Sequence, residues 1–490
     1  GYSNSAILSQ YFLYAGTASL LGCVLGIAAG SYFLPKMIWH AYNIMYGFTG
    51  ILYAFDWPLA LVSSGAYLLC ALGTTWYVVH AELQKPAAEL IRPRAPKAGK
   101  RILLERLPLI WDRLPFLHKV SIRNILRFKK RMVMMMIGIG GCTALLITGF
   151  GIQDSISSVV DYQYDEITRY DAAVTFQHAL SGSEREDFLA VCEESSAGGC
   201  LFVAEKSLDA SKGSTVKTTN VVCPESGGVE GFIDLHTQEK APVPYPQDGG
   251  CIISRGLAQA LRLSAGDTIT LQTGDMRRTE LTVEAVFENY VYNYVYLTQT
   301  TWQDVFGEAP GYEAAWVNYQ TDEDAQAASA ALAGAKNAAA VTLSRDFRSR
   351  VATMMQSLRY IVLVVVLGAA ALAFIVLYNL TNINITERER EIATIKVLGF
   401  YDGETNRYVF RENIILTVLG ALLGLPMGTL LHAYVMGQIK IDLMCFDVRV
   451  APLSYLISAA LTLVFGLLVN LALRRKIRAI DMSQALKSIE

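Results

Sequence analysis

Residues 385–413, ITEREREIATIKVLGFYDGETNRYVFREN, concentrate the charged and conformationally special side chains of this chain. Glu387, Arg388, Glu389, Arg390 and Glu391 set five charges in a row. Ile392, Ile395, Lys396 and Leu398 then follow at helical spacing until Gly399 ends the helix. Alternating acids and bases on a helix end suit docking through charge and hydrogen bonds, and they contain no nucleophile–base or metal-ligand spacing. A second short helix, about Asp402–Phe410, is expected to lie roughly parallel to a membrane. The whole reads as a lever: a rigid extension, a glycine corner and a docking helix. The plainer reading is a solvated helix end beside a bilayer.

Other chemistry is missing from the sequence. GSTVKTT lacks the glycine–lysine pair of a phosphate loop, and Gly99–Lys100 is followed by Arg101. Neither GxSxG nor HExxH occurs, and His40, His80, His118, His178, His236 and His432 are scattered. The chain is therefore expected to be no enzyme, with no catalytic, cofactor-binding or metal-binding residues of its own. No apolar run carries an acid or base in its middle, which argues against a proton-driven carrier. Energy has to come from outside the membrane section.

The elements that must position the lever are membrane spans. Hydrophobic residues make up 52% of the chain and mean hydropathy is +0.32, but the apolar residues are segregated. Runs free of Asp, Glu, Lys and Arg cover 11–35, 58–79, 132–152, 360–380, 413–431 and 451–473. Each meets the roughly 20 residues needed to cross the hydrocarbon layer as a helix. Segments 81–131, 381–412 and 474–490 hold 24 Lys and Arg, against three in 36–57 and 432–450. Positive residues favour the cytoplasmic side, so a multi-pass plasma-membrane protein with both chain termini cytoplasmic is expected.

Segment 153–357 then faces outward, with 29 acidic and 14 basic residues. Such a domain is soluble and could steer cationic ligands. Its composition is mixed α/β: strands near Ala172–Phe176, Leu201–Glu205, Ser214–Val222, Thr268–Gln272 and Glu280–Phe287, and helices near Ser254–Leu263, Thr300–Phe306 and Asp322–Leu332. Helical stalks are expected at Asp154–Tyr170 and Thr342–Leu358. Tyr290, Tyr292, Tyr294 and Tyr296 recur at period two and would share one strand face, either packed under a helix or forming a surface for a ligand. Cys23, Cys70 and Cys142 read as apolar fillers in spans. Cys192, Cys200, Cys223 and Cys251 could form an outer disulfide, with three pairings open.

The first thirty residues return at a constant offset of 398. Gly1, Gly22, Gly26 and Gly30 match Gly399, Gly420, Gly424 and Gly428, which implies two similar modules. The glycine rows set small residues on one helix face for close packing, and Pro426 adds a kink expected in the second copy alone. The chain is expected to open inside a first module whose front half is missing. The expected order is a coupling segment at 1–10, two spans within 11–82, and a cytoplasmic linker with an amphipathic interfacial helix at 83–131. A span at 132–152, the outer domain at 153–357 and a span at 358–384 follow. A coupling segment at 385–412, two spans within 413–473 and a tail at 474–490 complete it. The basic stretch before Met132 is explained by the adjacent membrane, so no nucleic-acid partner is read from it.

EREIATIKVLGF, together with SRGLAQALRLSAGDTITL and VFENYVYNYVYL in the outer domain, resembles the FtsX/MacB-type ABC transporter permeases of bacteria (the FtsX-like permease family). Residues 120–490 match one whole module of that family, and 1–92 look like the last two spans of a preceding one. The resemblance implies an α-helical bundle of six spans with one large α/β extracytoplasmic domain. It implies that Glu387, Glu391, Ile392, Lys396, Gly399 and Phe400 approach a separate cytoplasmic ABC ATPase, a dimer that holds the ATP and Mg. Gly1 and Tyr2 would occupy the equivalent corner of the first module. Ala393 stands where many relatives have glycine.

Two functions fit. One is a permease that couples ATP hydrolysis on its partner to outer-domain motion, exporting or extracting from the outer leaflet a lipid, lipoprotein or amphipathic or antimicrobial peptide. The other is a mechanotransmitting regulator or peptide sensor that acts on an extracytoplasmic protein or peptide without transport. Membrane lipids are partners in both.

Overall fold

The computed structural model describes residues 3–46, 50–86, 119, 122–123, 125–126, 129–195, 197–319, 325–439 and 444–480. Gly1 and Tyr2, most of the 83–131 linker and the last ten residues of the tail lie outside them. The chain divides into two compact units. One comprises Gly1–Gly149, Ser357–Leu431 and Pro452–Glu490; the other comprises Phe150–Gln356 and His432–Ala451.

The first unit is helical. Its elements are α1 (Asn4–Tyr46), α2 (Trp57–Leu83), the start of α3 (Lys129–Asp161) and most of α8 (Ser344–Glu387). The short α9 (Glu389–Val397), most of α10 (Asp402–Gln438) and α11 (Pro452–Arg478) complete it. Among the described residues six helices are long and apolar enough to cross a bilayer. Asp56 caps α2 by accepting from the Leu59 N–H at 3.0 Å, with Pro58 in the first turn, where a missing N–H is harmless. Ile125, Met135, Ile139, Leu377, Leu416 and Val469 belong to its shared apolar core. Along α1, Ser19 is buried, and α2 has no buried residue.

Two expectations change here. The first helix extends past the apolar run at 11–35, from Asn4 to Tyr46. The separate helix expected at Asp402–Phe410 is the first part of an unbroken α10, because no proline or glycine interrupts residues 404–419. Glu412 and Asn413, polar enough to suggest a break, instead face partners within the unit: Arg388 and Arg131 for Glu412, Asn384 and Asn470 for Asn413.

The second unit is a nine-stranded sheet in the order β3-β7-β4-β6-β5-β2-β8-β1-β9. The strands are β1 (Ala172–Phe176), β2 (Ala197–Lys212), β3 (Thr215–Pro224), β4 (Gly250–Ser254), β5 (Thr268–Gln272), β6 (Arg278–Phe287), β7 (Tyr294–Tyr296), β8 (Ala314–Tyr319) and β9 (Ala338–Leu343). Pairs β3–β7 and β4–β6 are parallel and the rest antiparallel. Helices α4 (Gly182–Glu194), α5 (Arg255–Leu261), α6 (Gln299–Phe306) and α7 (Ala325–Ala333) supply Phe188, Leu257, Trp302 and Leu332 to a core on one sheet face. The Ser181–Glu184 capping box starts α4, and Thr298 caps α6. The end of α3 passes into a π-helical turn, Tyr162–Ile167.

The four tyrosines do not share one strand. Only Tyr294 and Tyr296 lie on β7, and Tyr292 adopts φ +61°. Asn289 Nδ2 donates to the Val291 and Tyr292 carbonyls, and Gln163 Oε1 accepts from the Tyr290 and Val291 N–H groups. These side-chain bonds replace a ladder and bend the backbone.

No cysteine is in a disulfide. Cys223 and Cys251 are separated by β7, about 9–10 Å across two strand spacings, beyond disulfide reach. Cys192 on α4 and Cys200 on β2 do interact, which lowers the Cys192 thiol and raises that of Cys200.

Candidate functional site

The lever segment is built on a glycine corner. Helix α9 closes with the Gly399 N–H donating to the Lys396 carbonyl at 3.1 Å and the Phe400 N–H to the Ile395 carbonyl at 3.4 Å. This is a Schellman ending, and Gly399 has φ +94°, a conformation that a Cβ would strain. The next helix begins at once: the Tyr401 N–H donates to Glu404 Oε2 at 3.1 Å, half of a capping box.

Charges and hydrogen bonds of residues 387–396, across the α8–α9 junction, reach three other helices. Arg388, 2% exposed, sits between α8 and α9. Its Nη1 donates to Glu412 of α10 and its Nε to Glu391 Oε2 at 2.9 Å, and its guanidinium lies 5.6 Å from the Tyr408 ring. Arg131 of α3 reaches Glu412 Oε1 at 3.6 Å and Glu387 at 4.0 Å. Lys396 Nζ donates to the Arg478 carbonyl at 3.1 Å, at the end of α11, and pairs with Asp402 at 3.3 Å. Ile392 and Ala393 are fully buried in the shared core. Below this cluster Asn384 Nδ2 donates to Asn413 Oδ1 at 2.7 Å, and Asn413 Nδ2 to Asn470 Oδ1 at 3.2 Å. A buried ion pair of this kind fixes geometry more than it adds stability.

The corner that follows is open. Val397, Leu398, Phe400 and Tyr401 are exposed, Leu398 to 73% and Tyr401 to 80%. The residues singled out from sequence therefore separate into two sets. Ile392 and Lys396 point into the unit. Glu387, Gly399 and Phe400 face solvent, and Glu391 is half-buried against Arg388. Gly1 and Tyr2 lie outside the described residues. Sequence reasoning missed Arg131, Glu412, Tyr408 and the exposed Leu398–Tyr401 pair. Glu412, the last charge before the apolar run of α10, was the available signal.

Of the glycine rows, Gly420, Gly424 and Gly428 press against Ile139, Thr143 and Ile147 of α3, whereas among the described residues nothing lies within 4 Å of a Cβ placed at Gly22, Gly26 or Gly30. No group of three or more His, Cys, Asp or Glu that could hold a metal occurs among the described residues.

With this geometry in hand, comparison places the chain. Residues 132–335 match the MacB-like periplasmic core domain, and residues 363–482 match the FtsX-like permease C-terminal domain. The two lie in the order of one module, and the chain belongs to the FtsX/MacB-type permeases. It is an ABC-transporter-type permease: a membrane-embedded protein with a large extracytoplasmic α/β domain. Permeases of this family are the transmembrane component and work with a cytoplasmic ABC ATPase. No curated protein matches the chain.

Solved structures that resemble it include the extracellular domain of the noncanonic ABC-type transporter YknZ from Gram-positive bacteria. It is 16% identical with TM-score 0.25, over 35% of this chain and 98% of that one. The periplasmic region of MacB from Actinobacillus actinomycetemcomitans is 12% identical with TM-score 0.26, over 37% of this chain and 92% of that one. A domain of a putative permease protein from Porphyromonas gingivalis is 15% identical with TM-score 0.22, over 35% and 81%.

Proposed function

We propose that this permease couples ATP turnover on a dimeric cytoplasmic ABC ATPase to movement of its outer domain, so as to export a lipid, lipoprotein or amphipathic peptide or lift it from the outer leaflet. The ATP and Mg stay with the partner, and both ends of this chain lie on the partner's side. One observation carries the reading. Residues 387–396 are tied through Glu387 to Arg131 of α3, through Arg388 to Glu412 of α10 and through Lys396 to the end of α11, and the corner that follows is left bare at Leu398, Phe400 and Tyr401. A partner seated on the bare side would push three span helices together, because the clamp behind it has little freedom.

Long uninterrupted helices suit such transmission: α8 alone runs 44 residues. The same rods would serve the second reading, a regulator or sensor that moves an extracytoplasmic partner without transport. An export assay in vesicles separates the two.

Leu398→Asp puts a charge on the bare surface and touches nothing in the clamp. Co-purification with the ATPase and stimulation of its turnover should both fall at least about tenfold, as expected for a central interface anchor. The thermal midpoint of the permease alone should stay in place. Undiminished stimulation would remove the corner from the coupling surface.

A further inference from the structure

Helix packing and strand register bring two thiols of the outer domain to one place. Cys192 lies in the last turn of α4, 3% exposed, inside the apolar core between helices and sheet. Cys200 lies on β2 opposite Val317 of β8, and two residues further Phe202 lies opposite Ala315. Val317, Phe202 and Ala315 all belong to that same core, so strand alternation turns Cys200 to the face that α4 covers. Cys200 is packed against the core and only partly exposed. Ser195 Oγ donates to the Val191 carbonyl at 2.6 Å where α4 ends, and β2 starts at Ala197. The strand therefore doubles back beneath the helix within the seven residues that separate the two cysteines. The structure holds them as free thiols that interact directly.

The remaining cysteines of this domain are placed differently. Cys223 pairs with Ala204, four residues and about 13 Å along β2 from Cys200. Cys251 is two strands beyond Cys223, and Cys445 Sγ donates to Gln259 at 3.6 Å. Among the described residues, one pair of outer thiols is thus positioned to join. The domain is extracytoplasmic, and disulfides form and persist outside the cytoplasm.

We infer that Cys192 and Cys200 close a disulfide that staples the end of α4 to β2. The oxidant is a disulfide carried by an extracytoplasmic thiol oxidoreductase. Before α4 seats on the sheet, one cysteine thiolate attacks a sulfur of that disulfide and expels the other as a thiolate. The second cysteine thiolate then attacks the mixed disulfide and expels the remaining one. Two electrons and two protons pass from the cysteine pair to the oxidant, which ends as a dithiol. The bond ties a helix to a strand next to a short connection, and it is independent of how the ATPase is coupled.

The test is a thiol census on the full chain. Cells are quenched in acid, and the protein is denatured in iodoacetamide, reduced, labelled with N-ethylmaleimide and digested for mass spectrometry. Cys192 and Cys200 should carry maleimide, whereas Cys223 and Cys251 should carry the acetamide. Without reduction, cleavage after Glu193 and Glu194 should leave the two peptides joined and two hydrogens lighter than their sum. Cys192→Ser should leave Cys200 open to iodoacetamide. Reduction should lower the thermal midpoint of the parent by about 5–10 °C and leave that of the double variant Cys192→Ser/Cys200→Ser in place. Acetamide on both Cys192 and Cys200 of the parent would overturn the disulfide. A joined peptide containing Cys223 or Cys251 would overturn the pairing. Parent and double variant that respond alike to reductant would overturn the staple.

Discussion

Gly420, Gly424 and Gly428 on α10 are spaced like Gly22, Gly26 and Gly30 on α1, yet the two rows meet opposite surroundings. A Cβ at Gly420 would come within 2.7 Å of Ile139, one at Gly424 within 2.5 Å of Thr143 and 2.8 Å of the Gly140 carbonyl, and one at Gly428 within 2.7 Å of Ile147. Their partners on α3 recur every four residues, so the two helices approach backbone to backbone along a common row. Along the α1 row no described residue comes within 4 Å of such a Cβ. Polar residues diverge in the same way. Glu412 is fully buried against Arg388, while Tyr14, its counterpart at the offset of 398, is 79% exposed. A shared spacing therefore shows that a helix can pack closely, and its neighbours decide whether it does.

The sharpest way to break this comparison is a pair of leucines. Gly424→Leu drives a side chain into the backbone of α3, far beyond ordinary overpacking, and no folded monomer should be recovered by size exclusion in detergent. Gly26→Leu should elute and melt like the parent. Equal behaviour of the two variants would mean that the α1 row is covered as well, and the contrast would fail.

The buried charge gives a smaller effect. Glu412→Ala removes the buried carboxylate from Arg388, itself 2% exposed, leaving only the half-buried Glu391 to answer it, and should destabilise the helical unit by up to about 3–5 kcal/mol, read from thermal or denaturant unfolding. Tyr14→Ala should stay within about 0.5 kcal/mol, as for an exposed site. Replacing both charges, Glu412→Gln with Arg388→Met, should recover most of the stability while disturbing the seat of α9. Stability after Glu412→Ala that matches the parent would show that the clamp is not held by this pair.

How much of this was legible in the sequence follows from which forces act locally. Apolar runs without charge fixed the six long helices, and β1 and β5 were read to the residue because alternation, propensity and turn signals agreed there. The corner at Gly399 was legible because only glycine readily takes its backbone angle. The clamp was not: Arg388 looked like juxtamembrane charge, and its burial depends on Glu412 and Arg131, which are remote in sequence. Lys396 and Ile392 were expected to dock because the family resemblance implied it, and a motif does not say which way a helix face turns. The tyrosine row misled for a related reason. Period two predicts a strand, but Gln163 and Asn289 take the backbone bonds that a ladder would have used.

The smallest effect has the opposite sign and tests whether α1 is loosely packed even where it has a neighbour. A Cβ at Gly16 would meet Leu72 Cδ2 of α2 at 3.6 Å, an ordinary contact. One at Gly140 on α3 would come within 3.2 Å of the Gly420 carbonyl, where the backbone can give little. Alanine is favoured over glycine inside a helix by about 0.5–1 kcal/mol. Gly16→Ala should therefore raise the melting midpoint by about 1–3 °C, whereas Gly140→Ala should lower it, because the strained contact outweighs the same helical gain. A fall in both would place α1 and α2 in a tighter arrangement than their exposed side chains indicate.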